Sequence, residues 1–193
     1  MPQGTVIWLT GLPSSGKTTL AQGVACWLKR LGVPVEVLDG DELRLSLSAD
    51  LSFSPSDRRE HARRVILVSK LLSRNGIYVM VPLISPYRET RQLARRELAR
   101  FVEVYVKCPP EVCMCRDVKG LYARAQRGEI TGFTGVSAPY EPPEAPEVTV
   151  ETDILSVSEC CRRILAAVPG LESAPCSNTR HRGLDGLPES EPI

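Results

Sequence analysis

The sequence predicts an α/β fold, a mostly parallel sheet with helices on both faces, and three observations lead to it. Five short apolar runs alternate with segments of helical period, the order that parallel strands joined by helical crossovers produce. The first run passes through a glycine-containing turn directly into a helix. The 193 residues, 42% of them hydrophobic, suffice for one domain with a substantial core but not comfortably for two.

Each element has its own local reason. Val6, Ile7 and Leu9 make the first strand. Leu20, Ala21, Val24, Ala25, Leu28 and Leu31 then recur at helical spacing until Gly32 stops the helix and Pro34 prevents its continuation. VEVLD at 35–39 is the second strand. The next helix runs from Pro55 to Asn75, with Ser54 as cap, proline in its first turn, Asp57 completing an S-x-x-D box and Gly76 at the stop. IYVMVP at 77–82 is the third strand, RETRQLARRELAR at 88–100 a helix, and FVEVYVK at 101–107 the fourth strand. Short helices are expected from Pro109 and over LYARAQRG, a fifth strand at 147–152, and a closing helix in SVSECCRRILAAV capped by Ser156 or Ser158. Residues 119–146 carry glycines and prolines with little apolar period, and read as a mobile lid. Residues 1–168 form the expected domain, and 169–193 read as a polar, disordered tail. The sequence contains no internal repeats.

Composition narrows the partners. Twenty-four basic against 23 acidic residues leave a net charge of +1, so no global field favours nucleic acid or an anionic membrane. No apolar run approaches a membrane span, and a core strand begins too soon after Met1 for a signal sequence. A cytoplasmic protein is expected. Seven cysteines are an odd count, several lie in predicted core elements, and neither Cys113/Cys115 nor Cys160/Cys161 has zinc-ligand spacing. They read as reduced thiols without a metal.

The chemistry starts at GLPSSGKTTL. Gly11, Gly16, Lys17 and Thr18 fit G-x-x-x-x-G-K-[ST], between a strand and a helix as the motif's mechanism requires. The loop of Gly11, Leu12, Pro13, Ser14, Ser15, Gly16, Lys17, Thr18 and Thr19 would cradle the phosphates of a nucleoside triphosphate with the backbone N–H groups it carries. Lys17 would reach the terminal phosphates and the Thr18 hydroxyl would ligate Mg²⁺. The fold class is therefore a three-layer P-loop NTPase domain with five strands. Its second requirement is a carboxylate at a neighbouring strand end, which Asp39 supplies for the metal, leaving Asp41 free to accept a proton from an attacking hydroxyl. In the long helix Arg58 and His61 share a face with Val65, Val68 and Leu72, which aims them at the strand ends. The arginines at 88, 91, 95, 96 and 100 read as a solvated helix face.

These residues resemble a known family. GLPSSGKTT, LDGDELR, FSPSDRREHARR, LISPYR, FVEVYVKCPPEVCMCRDVKGLYARAQRGEITGFTG and APYEPPEAPEV, in order from about Gly4 to Val168, look like adenylylsulfate kinase, which phosphorylates the 3′-hydroxyl of adenosine 5′-phosphosulfate (APS). The resemblance implies MgATP on residues 11–19, Asp41 as general base and Asp39 assisting the metal or the hydroxyl. It implies Arg44 and Arg58 on the phosphosulfate or ribose of APS, Phe53 and Phe133 around its adenine, and Ile84 and Ser85 in the same pocket. Lys119 would reach the phosphosulfate from the lid, and Arg116 would pack near the ATP adenine. Some family members carry a phosphoserine at the serine matching Ser85, although direct in-line transfer needs no covalent intermediate. A homodimer and a functional link to ATP sulfurylase are further implications. Three positions depart from the family pattern. His61 stands where asparagine is usual, Ser52 where glycine is usual and Val118 where proline is usual. The His61 replacement leaves open a related kinase for another alcohol, and a catalytically weak nucleotide-binding homologue is the reading outside enzymes.

Overall fold

The computed structural model describes residues 3–171; the tail expected over 169–193 lies almost wholly outside them. Five strands, β1 (Val6–Thr10), β2 (Val35–Val37), β3 (Tyr78–Pro82), β4 (Phe101–Lys107) and β5 (Val148–Glu151), form one sheet in the order β2-β3-β1-β4-β5, every pairing parallel. Among the described residues seven helices accompany them: α1 (Lys17–Arg30), α2 (Gly40–Leu45), α3 (Pro55–Arg74), α4 (Arg88–Glu97), α5 (Pro110–Arg116), α6 (Leu121–Gln126) and α7 (Val157–Ala166).

The middle strand shows why the pattern is a continuous apolar run. Ile7 and Leu9 enter a core shared with Leu20, Val24 and Leu28 of α1 and Ile164 of α7. Val6 and Trp8 enter a second core with Val65 and Ile66 of α3 and Ala94 of α4. All four β1 residues are fully buried, so neither face can be polar. A third, smaller core joins Cys108, Cys113, Tyr122, Ala125 and Phe133, with Leu12 of the phosphate loop packed against it. It lies under α5 and α6. The 119–146 segment is thus seated on the phosphate loop by apolar packing.

Several boundaries differ from expectation for local reasons. β2 ends at Val37 because Asp39 turns out of the sheet to cap α2, its side chain accepting from the Asp41 N–H at 2.9 Å. The sequence reading contained no α2. The caps of α3 and α7 are Ser54 and Ser156. α4 stops at Glu97 because Leu98 is extended and buried in the second core. The expectation that 88, 91, 95, 96 and 100 form a solvated face fails at Arg91. This residue is 2% exposed, and its guanidinium pairs with Glu103 of β4 at 2.8 Å.

Candidate active site

Everything at the site grows from the carboxyl ends of the strands, where open α/β sheets bind ligands. β1 runs into the phosphate loop. Gly11 is forced, because a Cβ there would lie 2.4 Å from the Val106 carbonyl oxygen of β4. Gly16 is forced differently, by φ of 94° at the N-cap of α1. Gly11, Leu12 and Ser15 build the loop from behind, and Pro13, Ser14, Gly16, Lys17, Thr18 and Thr19 face a cleft of about 540 Å³.

Lys17 is buried and folded back on its own loop, donating to the carbonyls of Leu12 at 2.6 Å and Gly11 at 3.1 Å. Burial pulls its pKa down to about 8, against the opposing pull of Asp41 and Asp39. Thr18 Oγ1 donates to Asp39 Oδ2 at 3.0 Å. A hydroxyl and a carboxylate in contact suit Mg²⁺, which takes one or two protein oxygens and completes its shell with water and phosphate. Among the described residues no cluster of three or more His, Cys, Asp or Glu could hold a metal, and a site of this Mg²⁺ type does not need one. The Cys26 and Cys115 thiols are exposed, while Cys108, Cys113, Cys160 and Cys161 are buried.

Asp41 stands in the first turn of α2 beside the loop, and Lys119 pairs with its carboxylate. This contact brings the 119–146 segment onto the predicted base. Arg44, Phe53, Arg58, His61, Ile84, Ser85, Arg116, Lys119 and Phe133 all line the cleft that holds the phosphate loop. The predicted constellation is therefore one cavity. Its two aromatic walls differ. Phe133 is 8% exposed and meets Tyr122 edge-on at 5.0 Å, whereas Phe53 is 63% exposed with the Arg44 guanidinium 4.4 Å over its ring. Arg58 joins the walls, donating to the Phe53 carbonyl at 2.8 Å and to the Gly132 carbonyl and Thr134 hydroxyl at 2.7 Å each. Ser85 is buried with φ of 44°, and its Oγ accepts from Trp8 Nε1 at 2.9 Å.

The three departures have distinct consequences. Ser52 N–H and hydroxyl both bond Asp57, and Ser52 is not among the residues of positive φ. The side chain thus braces the first turn of α3 through Asp57 without backbone strain, beside the Ser54 cap. Val118 is 84% exposed at the cleft edge. His61 is 2% exposed, its Nδ1 lies 2.9 Å from Ser48 Oγ, and its Nε2 has no partner among the described residues. Burial, with Arg44 and Arg64 nearby, pushes its pKa down to about 4. The sign follows: the unfolded chain binds this proton more tightly, so the neutral ring stabilises the fold fully above about pH 6.5 and progressively less toward pH 4. Between pH 7 and pH 5 the protein should lose about 2 kcal/mol more stability than its His61→Asn variant. Denaturant titration of both at the two pH values measures this; equal losses would contradict the burial of a neutral ring.

Sequence reasoning passed over the braces behind the loop. Tyr122 OH donates to the Pro13 carbonyl at 3.2 Å, and Thr152 Oγ1 donates to the Ser15 carbonyl at 3.0 Å. Arg116 Nη2 donates to the Thr152 carbonyl at 2.8 Å, which ties the predicted adenine-side arginine to that brace. Thr152 follows β5 immediately, and only its place at a strand end marks it.

A parallel sheet with this loop, an adjacent carboxylate pair and a polar–aromatic cleft defines a P-loop phosphotransferase. The chain belongs to the adenylylsulphate kinase family, whose model matches residues 3–151. It is 51% identical to an adenylyl-sulfate kinase of Synechococcus sp. (strain JA-3-3Ab) over 86% of this chain and 94% of that one. To the enzyme of the same name from Chloroflexus aurantiacus it is 50% identical, covering 88% and 91% respectively. Among solved structures, the Mycobacterium tuberculosis APS kinase CysC in complex with AMPPNP and APS superposes with a TM-score of 0.84 at 43% identity. That match covers 86% of this chain and 98% of that one.

Proposed function

We propose that the protein transfers the γ-phosphoryl group of ATP to the 3′-hydroxyl of APS, giving 3′-phosphoadenylyl sulfate and ADP. The observation that carries this reading is the position of Asp41. It lines one cleft together with the phosphate loop and with Arg44, Phe53, Arg58 and Phe133, and pairs with Lys119, which supports its use where an acceptor hydroxyl meets a γ-phosphate.

The residues divide the work. The loop amides and Lys17 hold the β and γ phosphates, and Lys17 offsets the charge that develops on them. Thr18 and Asp39 would hold Mg²⁺, which would supply positive charge against the charge developing on the transferring phosphoryl group. Asp41 orients the 3′-hydroxyl and takes its proton as the new O–P bond forms and the bond to the β-phosphate oxygen breaks. Phe53 and Phe133 hold the APS adenine, Arg44 and Arg58 its ribose and phosphosulfate, and Ile84 the pocket wall. Lys119 exchanges Asp41 for the phosphosulfate when APS enters. Arg116 borders the ATP adenine. Ser85, with its oxygen turned onto Trp8, shapes the wall and needs no part in covalent chemistry.

The unpartnered Nε2 of His61 supports a second reading, in which this end of the cleft takes another nucleotide alcohol. Phosphoryl transfer from MgATP to APS and to a panel of nucleosides and nucleotides separates the two. APS should lead by orders of magnitude; a nucleoside that matches it would favour the second reading. A homodimer and work beside an ATP sulfurylase in the cytoplasm complete the proposal, and among the described residues no helix is long and apolar enough to cross a membrane.

A further inference from the structure

The turn after β3 that forms one wall of the cleft is held in an unfavourable conformation. Ser85 has φ of 44°, in the left-handed region that a residue carrying a Cβ rarely adopts. Three donors hold it there. Thr10 Oγ1 bonds the Ile84 carbonyl at 2.7 Å, Trp8 Nε1 bonds the Ser85 hydroxyl at 2.9 Å, and Arg91 Nη1 bonds the Ser85 carbonyl at 2.5 Å.

Arg91 reaches further than the other two. Its Nη2 donates to the Glu141 carbonyl at 2.6 Å, and its guanidinium lies 5.9 Å from the centre of the Tyr140 ring. Glu141 N–H donates in turn to the Pro86 carbonyl at 2.9 Å, and Tyr140 OH meets Thr10 Oγ1 at 3.0 Å. Tyr140 and Glu141 belong to the returning half of the segment that carries Lys119 and Phe133 to the cleft. One buried cation therefore fastens the acceptor wall and the root of the lid to the same point of α4.

That cation has a matching anion inside the molecule. Glu103 sits in β4 directly beside Trp8 of β1, its side chain 9% exposed, and accepts from Arg91 Nε at 2.8 Å. A buried ion pair of this kind is weak evidence for stability, since an apolar pair of similar volume commonly does as well. What an apolar pair cannot supply is two forked N–H donors in a fixed plane for the carbonyls of Ser85 and Glu141.

We infer that Arg91 is a positioning residue for the acceptor side of the reaction: through Ser85 and Glu141 it fixes the cleft wall against the lid root, and Glu103 keeps its charge in place. The inference rests on the assignment of this end of the cleft to APS. It concerns no contact with the substrate, and it separates acceptor binding from nucleotide binding, because no Arg91 bond reaches the phosphate loop.

Arg91→Lys retains the charge beside Glu103 and removes the fork. Its KM and equilibrium Kd for APS should rise about tenfold or more, the cost of losing charge-assisted bonds to the wall, with Kd for an ATP analogue changed less than about twofold. Arg95→Ala is the comparison, because Arg95 also pairs with Glu103 and with Glu147 but bonds neither Ser85 nor Glu141. It should lower the melting temperature while leaving KM for APS unchanged. Glu103→Gln, which keeps the Arg91 carbonyl bonds, should raise KM for APS less than Arg91→Lys does and provides the test if the lysine variant does not fold. Equal effects of Arg91→Lys and Arg95→Ala on KM for APS would overturn the inference, as would parallel losses of APS and nucleotide binding. Absence of APS binding by the unaltered protein would instead overturn the acceptor assignment, and the inference with it.

Discussion

Replacing Asp41 by asparagine lowers turnover about a hundred- to ten-thousand-fold, the range that a positioned general base contributes, and leaves nucleotide binding nearly intact. The substitution keeps size and shape, so Lys119 retains a side-chain oxygen as acceptor and α2 keeps the Asp39 cap. What disappears is the ability to take a proton from the attacking hydroxyl. Asp39→Asn differs in kind, because Asp39 accepts from Thr18 and from the α2 backbone. Its loss should weaken metal-dependent nucleotide binding as well as turnover. Single-turnover transfer, measured beside nucleotide affinity, distinguishes the pair. An Asp41→Asn protein with unchanged turnover would remove the base from the mechanism.

Replacing Lys17 by methionine has effects of opposite sign on activity and stability. Turnover should fall about a hundred- to a thousand-fold or more, as for the loss of a preorganised donor to a developing anion. Stability should hold or increase. Burial holds the Lys17 pKa at about 8, so the charged form is disfavoured in the nucleotide-free fold, and a methionine removes that penalty while filling similar volume. The same depression predicts that above about pH 8 nucleotide binding takes up a proton at Lys17, since polyphosphate favours the ammonium form. Calorimetry of nucleotide binding in buffers of differing ionisation enthalpy measures that proton. A Lys17→Met protein that melts well below its parent, or binding without proton uptake at pH 8.5, would contradict this account of the loop.

Much of the fold was legible because parallel strands buried on both faces leave continuous apolar runs, and TVIWLT or FVEVYV cannot be surface segments. The phosphate loop was legible because backbone geometry fixes its glycines, as the Val106 carbonyl against Gly11 demonstrates. α2 was not, since six residues, GDELRL, behind an aspartate cap are too short to show a helical period. Beyond Asp41, helical spacing aimed only Arg58 and His61 at the cleft, and its aromatic walls could be placed only through family resemblance, because Phe53 and Phe133 are distant in the chain and nothing local marks either as a wall.

Arg91 was misread for a different reason. An arginine-rich helix ordinarily faces water, yet Arg91, Ala94 and Leu98 lie three and four residues apart on one buried stripe. Glu103, a single acid within a buried strand, was the complementary signal, because a carboxylate placed there requires a cation. Read together, the two residues indicate an internal ion pair. The braces Tyr122 and Thr152 had no comparable signal, as each works through a single hydroxyl on a backbone carbonyl of the loop.

Transfer to APS is tested by ADP release from the purified protein with MgATP, with and without micromolar APS, while the nucleotide product is followed by phosphorus NMR. ADP release should depend on APS and be matched by a product phosphorylated at the 3′ position. Saturable ATP binding with no APS-dependent product, or a product phosphorylated elsewhere, would contradict it.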